Sequence, residues 1–441
     1  MRKIDINHVI DEARFRPFHW NVLFWCTLII IFDGYDLVIY GVVLPILMDQ
    51  WQLTPIEAGS LGSVALFGMM VGAMSLGTAS DKYGRKKMIV LCIILFSLFT
   101  LLCGFAQTPT QFAVLRFIAG LGIGGVMPNV VALISEYAPK KIRSTLVALM
   151  FSGYAIGGML SAGLGIWIVP NWGWEIMFYL GCVPLFLLPL IIKFLPESLG
   201  FLLRDNKDGE VKNILAKINP EIITTQQYEL LKQEVASKKI PILDLFNENR
   251  AISTLAFWLS FFMCLLMVYA LGSWLPKLMQ TAGYPLKSGL MFLFAMNIGG
   301  MVGAISGGWL SDKFNLKSVL VTFFILGSLA ITLLGFRSNT GLLYFLVMIA
   351  GAATIGSQIL LYTYVAQYYP MHIRSTGLGW ASGVGRIGAI VGPMLGGVLM
   401  QLALPHYQNF IAFAIPGLIA TLAIAMIGIK FYEARKVTIK P

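Results

Sequence analysis

Gly77-Thr78-Ala79-Ser80-Asp81-Lys82-Tyr83-Gly84-Arg85-Lys86-Lys87 closes one apolar run and opens the next, and its first part returns 231 residues later as Gly308-Trp309-Leu310-Ser311-Asp312-Lys313. The same offset carries Pro139, Ile142, Arg143, Ser144 and Thr145 onto Pro370, Ile373, Arg374, Ser375 and Thr376. It also carries Gly41, Leu44 and Pro45 onto Gly272, Leu275 and Pro276. Separated matches at one offset mark a chain made by duplication of a single unit.

Between these anchors the chain is apolar. Of its residues, 57% are hydrophobic and 12% charged, about half the charge of a soluble domain. The apolar runs approach the roughly 20 residues that a helix needs to cross hydrocarbon. They lie near 20–45, 57–79, 88–106, 110–134, 145–168 and 174–194, then near 251–275, 289–311, 317–336, 341–366, 375–400 and 407–430. The expected fold is therefore an all-α integral membrane protein: twelve transmembrane helices in two pseudo-symmetric six-helix bundles, 1–194 and 251–441. The polar segment 195–250 joins them, with apolar residues at helical spacing around Val211–Leu215 and Tyr228–Val235 that predict short amphipathic helices. Residues 1–19 lack a cleavable signal pattern, so the first span is expected to direct insertion.

The net charge of +11 invites a nucleic-acid partner, but topology explains it more simply. With both termini cytoplasmic, 27 of the 32 Lys and Arg fall inside, three outside (Lys277, Lys287, Arg337) and two within spans (Arg116, Arg386). That asymmetry is the positive-inside rule. The five cysteines sit in apolar runs without metal-ligand spacing, and His8, His19, His372 and His406 lie at or near loops with no nucleophile beside them. Neither an enzyme nor a metal or cofactor site is expected. The polar segment is too small for a signalling domain.

The Gly77-x-x-x-Asp81-x-x-Gly84-Arg85-Lys86-Lys87 loop resembles the cytoplasmic signature of the major facilitator superfamily of transporters. Arg116-x-x-x-Gly120-x-x-x-Gly124 resembles its fourth-span motif, and Pro196-Glu197-Ser198 also recurs there. The loop reads physically as a latch. Gly77 and Gly84 allow close approach and a sharp turn, Asp81 suits a neighbouring helix N-terminus, and Arg85 suits a partner carboxylate. The second copy keeps Asp312 but has Asn315 and Leu316 in place of Gly84 and Arg85, which predicts a weaker latch.

Ionisable groups deep in a span are functional candidates by default. At 1.5 Å per residue, Asp33 lies roughly 20 Å and Asp36 roughly 24 Å into span one, and Arg386 roughly 17 Å into span eleven. Arg116 lies roughly 9 Å below the opposite face of a ~30 Å core, at about the level of Asp36. Asp33 and Asp36, at i and i+3, share a helix face. Two carboxylates so placed in low dielectric do not both stay ionised, so one is a proton carrier; a buried guanidinium offers a fork for a carboxylate. Asp–Arg bridges of purely structural purpose are the simpler alternative.

Asp33-Gly34-Tyr35-Asp36-x-x-x-x-Gly41 resembles the first-span signature of the aromatic acid:proton symporters. The resemblance implies proton-coupled uptake of a benzoate-like or hydroxybenzoate-like acid by alternating access in the bacterial inner membrane. It gives Asp33 and Asp36 roles in proton coupling, with Arg116 supporting span one and Arg386 binding the substrate carboxylate. Tyr35, Tyr40, Trp274, Tyr362, Tyr364 and Trp380 are candidates for a ring slot, with Tyr35 and Trp274 ranked first, and Asn129, Asn297 and Gln358 are candidate polar partners. The partners expected are the aromatic acid, protons and lipid, around a monomer. Nicotinate and a muconate-like acid stay open as substrates. A neutral sugar would not require Arg386. A drug/proton antiporter is less favoured, because the Gly-Pro pair of such exporters is absent from span five, where Gly153-x-x-x-Gly157-Gly158 stands.

Overall fold

A computed structural model describes residues 2–4, 6–219, 228–230, 242–248, 250–336, 339–369 and 373–428. Among the described residues, twelve helical segments are long and apolar enough to cross a membrane, and they coincide with the twelve expected spans. They run Pro17–Gln50, Pro55–Gly77, Arg85–Cys103, Pro109–Tyr137, Thr145–Trp172 and Glu175–Phe194, then Ala251–Thr281, Leu286–Ser311, Leu316–Leu334, Thr340–Tyr368, Thr376–Gln401 and His406–Met426. Helices are the form available to a segment in lipid, because they satisfy every backbone group within the segment. They carry bare apolar side chains, among them Met74, Phe186, Ile305 and Leu422, each at least 66% exposed. In water such a surface would associate; in hydrocarbon it is solvated. This is a multi-pass membrane protein.

The ends of the spans follow from local chemistry. Pro109 opens the fourth span behind Thr108, whose hydroxyl accepts from the Gln111 N–H at 3.3 Å. Asn339 caps the tenth span by accepting from the Leu342 N–H at 2.7 Å. Two spans are interrupted. The sixth breaks at 181–182 between Glu175–Leu180 and Val183–Phe194. The tenth passes through a π-helical turn over Ala352–Gly356, a device that re-aims the side chains beyond it.

The duplication is visible in the packing. A Cβ on Gly68 would overlap the carbonyl oxygen of Phe117, and one on Gly299 that of Met348. Likewise Gly72 meets Leu121, and Gly303 meets Ala352. Both members of each pair are related by the 231-residue offset, so the second span crosses the fourth as the eighth crosses the tenth. Small residues permit such close crossings in lipid, where packing rather than hydrophobicity draws helices together.

The chain forms two compact units. One comprises Met1–Leu37, Phe67–Gly157 and Glu175–Ser237; the other comprises Val38–Leu66, Gly158–Trp174 and Lys238–Pro441. The first, second and fifth spans each give one end to each unit. Within the second unit, the Tyr40–Ser63 ends of the first two spans pack on the seventh and eleventh. A Cβ on Gly41 would overlap the carbonyl oxygen of Gly272, whereas one on Gly272 would meet nothing. Ser63 Oγ donates to the Ile390 carbonyl at 2.6 Å, and Trp274 Nε1 to that of Pro393 at 2.8 Å. Lys277 Nζ stands 3.5 Å from Asp49 Oδ1.

In the segment after the sixth span, Asp208–Ile218 is the expected amphipathic helix, with Val211, Leu215 and Ile218 buried. The helix expected around Tyr228–Val235 is not found where the chain is described. Tyr228–Leu230 is instead a strand, paired in parallel with Arg2–Ile4, and 231–235 lie outside the described residues. Its apolar spacing was satisfied by a backbone partner rather than by a helical face. That short pairing is the sole departure from an all-helical chain among the described residues.

Candidate functional site

The first span runs without a break through Asp33 and Asp36, whose side chains are 0% and 2% exposed. Gly34 between them is where the first and fifth spans touch, since a Cβ there would overlap the Tyr154 carbonyl oxygen. The reciprocal contact sets Gly157 against the Ile31 carbonyl. Asp36 points to the third and fourth spans. Arg116 donates through one terminal nitrogen to Asp36 Oδ2 at 2.8 Å and through the other to the Asp36 backbone carbonyl at 3.2 Å. Thr100 Oγ1 donates to Asp36 Oδ1 at 2.5 Å. Arg116 is 2% exposed and Thr100 0%. Desolvating such charges costs several kcal/mol per ion, and it is tolerated where the geometry is good and the remaining lone pairs are satisfied. Each carboxylate oxygen of Asp36 has its own donor, and the depth estimates that placed Asp36 and Arg116 at one level agree with the pair.

Arg386 belongs to the second unit, half-buried on the eleventh span. The Tyr362 hydroxyl lies within electrostatic reach of it, and the Tyr362 ring meets Phe261 edge-on at 5.0 Å between centroids. Gln358, half-buried one helical turn before Tyr362, follows directly on the π-helical turn. Other candidates spend their polar atoms inside the protein. Tyr35 donates to the Met177 carbonyl at 2.8 Å, Trp274 to that of Pro393, and Asn129 to Gly125 of its own helix at 2.8 Å. Tyr35 and Trp274 are 6% and 0% exposed, so in this conformation both act as packing residues.

The loop around Arg85 is tied to the end of the fourth span and to the segment after the sixth. Arg85 pairs with Glu136 at the end of the fourth span, and Ser198 Oγ donates to Glu136 Oε1 at 3.1 Å. The carboxylate at the third-span N-terminus is Glu197, whose Oε1 accepts from the Lys86 and Ser198 backbone N–H groups at 3.0 and 2.8 Å. A negative charge there complements the helix dipole. Tyr137 binds the Glu197 carbonyl through its hydroxyl, and Arg204 reaches the Lys82 carbonyl at 2.7 Å. Gly77 is half-buried in the second span, while the Asp81 and Asp312 side chains lie outside the described residues. Gly84 adopts φ 95°, and a Cβ there would stand 2.7 Å from Glu197 Oε2. Gly84→Ala is therefore expected to destabilise the protein by about 1–2 kcal/mol, from left-handed backbone strain. Thermal unfolding in detergent would register this as a lowered Tm, and an unchanged Tm would contradict it.

Thr100, Glu136, Tyr137 and Arg204 are members of these clusters that the sequence did not single out. The only signal for Glu136 was an acidic residue three positions before Pro139 at a span end.

The Major Facilitator Superfamily model matches residues 26–315 and 295–440. The chain belongs to that superfamily. Among its relatives, this superfamily member is 52% identical over 438 residues to the benzoate transport protein of Acinetobacter baylyi, covering 97% of this chain and 93% of that protein. It is 36% identical over 428 residues to a gallate transporter of Pseudomonas putida, covering 96% and 95%. Its fold superposes on the crystal structure of a D-xylose-proton symporter with a TM-score of 0.72 at 19% identity, over 92% of this chain and 97% of that one. This last likeness concerns the superfamily fold alone.

Proposed function

We propose that this protein carries a small aromatic carboxylate, benzoate first, across the bacterial inner membrane together with a proton, by alternating access. The observation that carries the reading is the buried Asp33–Asp36 pair with Arg116 inside an apolar span. Charges in such a place are costly and are kept where they serve transport. The relative named as a benzoate transport protein supports the substrate, and the gallate transporter supports the wider class of ring carboxylates. Hydroxybenzoates and nicotinate are alternatives within it, and an open-chain muconate-like diacid is one outside it.

In this reading both termini are cytoplasmic, as the distribution of Lys and Arg supports, and 1–194 and 251–441 are two halves joined by 195–250. Arg386 takes the substrate carboxylate through its planar fork, with Tyr362 beside it and Gln358 one turn earlier on the helix of Tyr362. Protonation at the aspartates and anion binding at Arg386 together reduce the charge that must move between states. The Arg85–Glu136–Glu197 cluster, with Gly77, Asp81 and the second-copy Asp312, stabilises one of those states. The protein acts as a monomer in lipid, and no cofactor is invoked.

Uptake of radiolabelled benzoate into proteoliposomes, with and without an inward proton gradient, tests the reading. Stimulation by the gradient is expected. Arg386→Ala is expected to lower uptake at subsaturating benzoate on the order of 30-fold or more, as when one partner of a charge-assisted contact is removed. Uptake indifferent to the gradient would sink proton coupling. Uptake of another aromatic acid in place of benzoate would change the substrate and keep the mechanism.

A further inference from the structure

Duplication lets each copy serve as a control for the other. At the offset of 231, Asp33, Asp36 and Arg116 correspond to Cys264, Met267 and Val347, so no charge stands at those positions of the second copy. Conversely, Tyr269, Gln358, Tyr362 and Arg386 correspond to Val38, Met127, Val131 and Ala155. Apolar residues suffice at these four positions of the shared frame, so the fold itself does not call for polar ones. Ionisable groups in a span are costly and are kept where they serve transport. The π-helical turn is likewise confined to one copy, since residues 121–125, equivalent to Ala352–Gly356, are α-helical. Such turns recur at functional sites.

Three spans of the second unit gather these groups. Gly385, beside Arg386 on the eleventh span, packs on the seventh, where an added Cβ would stand 2.7 Å from Leu265 Cδ1 and 3.2 Å from Phe261 Cβ. Phe261 in turn meets the Tyr362 ring of the tenth span edge-on at 5.0 Å. That contact fixes the ring, and the Tyr362 hydroxyl lies within electrostatic reach of Arg386 and of Tyr269 on the seventh span. Buried tyrosines elsewhere spend their hydroxyls internally, as Tyr35 does on the Met177 carbonyl and Tyr369 with the Thr254 hydroxyl. Tyr362 makes no such bond to a described residue and is only half-buried, as is Arg386.

We propose that the Tyr362 hydroxyl is a second donor to the carboxylate that Arg386 binds, which makes Tyr362 a specificity-determining residue for the acid. This rests on the role given to Arg386 above. A guanidinium offers only donors, and a phenol O–H beside it extends that set to a further lone pair of the same carboxylate. Hydrogen bonds to a charged acceptor are the stronger kind, so the anion gains more from the pair than an uncharged ring analogue does. The two copies then divide the work: the first holds the Asp–Arg charges, and the second holds the grip on the substrate.

The test uses the full-length protein in proteoliposomes and follows exchange of labelled for unlabelled benzoate without a gradient, so that proton coupling does not enter. Tyr362→Phe removes the hydroxyl and keeps the ring against Phe261. It is expected to raise the half-saturating benzoate concentration about tenfold or more, with the maximal exchange rate and the Tm in detergent near native. Residues that share a partner are coupled, so the same substitution in an Arg386→Ala background is expected to raise it by no more than about threefold. An unmoved half-saturation in Tyr362→Phe would overturn the proposal, as would a loss confined to the maximal rate. Equal fold-changes in the two backgrounds would also overturn it, because Tyr362 would then act apart from the carboxylate that Arg386 holds. Absence of benzoate exchange by the wild type would instead overturn the benzoate reading, and the proposal with it.

Discussion

Arg116→Ala is expected to destabilise the protein by about 3–5 kcal/mol, because it leaves the buried Asp36 carboxyl without its strongest partner. Asp36 is 2% exposed, so water cannot take the place of the guanidinium without opening the packing between the first and fourth spans. Folded proteins hold only about 5–15 kcal/mol in total, so a loss of this size should appear as poor yield and a broad, early-eluting peak in detergent. The double variant Asp36→Asn/Arg116→Gln removes both charges at similar volume and is expected to recover most of the folded protein. Replacement of a buried ion pair by neutral groups is often tolerated where removal of one partner is not. Gel filtration and thermal unfolding of wild type and both variants would check this. A stable Arg116→Ala protein would mean that the Arg116–Asp36 pair does not hold the first and fourth spans together.

The second large effect belongs to the crossing of the first and seventh spans. Gly41→Val places a branched side chain where the Gly272 carbonyl oxygen already stands, so the two backbones must separate. The ion pair between Lys277 of the seventh span and Asp49 of the first depends on that closeness. Overpacking of about 3 kcal/mol would move the equilibrium away from this arrangement by about two orders of magnitude. A cysteine pair at Asp49 and Lys277, whose charged atoms stand 3.5 Å apart, reports the arrangement through cross-linking by a short bifunctional thiol reagent. Gly41→Val is expected to abolish the cross-link. Gly272→Ala, whose added carbon meets no atom, is expected to leave it intact. Equal effects from the two substitutions would refute the described crossing.

The spans were legible because the solvent imposes their length: an apolar run near twenty residues has little else to become in lipid. Asp33, Asp36 and Arg116 were legible for the complementary reason, that charge in such a run stands out. Thr100 was not, since a hydroxyl in a membrane helix has a ready partner in its own preceding turn. Glu136 and Glu197 sit at span ends, where a carboxylate passes for ordinary solvated charge, and only the fold brings them to Arg85 and the third-span N-terminus. The π-helical turn at Ala352–Gly356 left no mark because its Ala-Ala-Thr-Ile-Gly composition is ordinary for an α-helical membrane span. Around Tyr228, apolar spacing predicted a helix where Tyr228–Leu230 pairs with Arg2–Ile4, a choice decided by a segment more than two hundred residues away.

Gly41 and Gly272 are the same position in the two copies of the duplicated unit, and they meet each other. A residue touching its own counterpart is what a two-fold axis produces between identical subunits, where one surface patch serves both partners. The crossing therefore sits where a pseudo-two-fold relating the two copies would pass. The two glycines nonetheless differ in duty: position 41 has no room for a side chain, while position 272 has room it does not use. A contact made by one residue type on both sides is bound to glycine on only one of them.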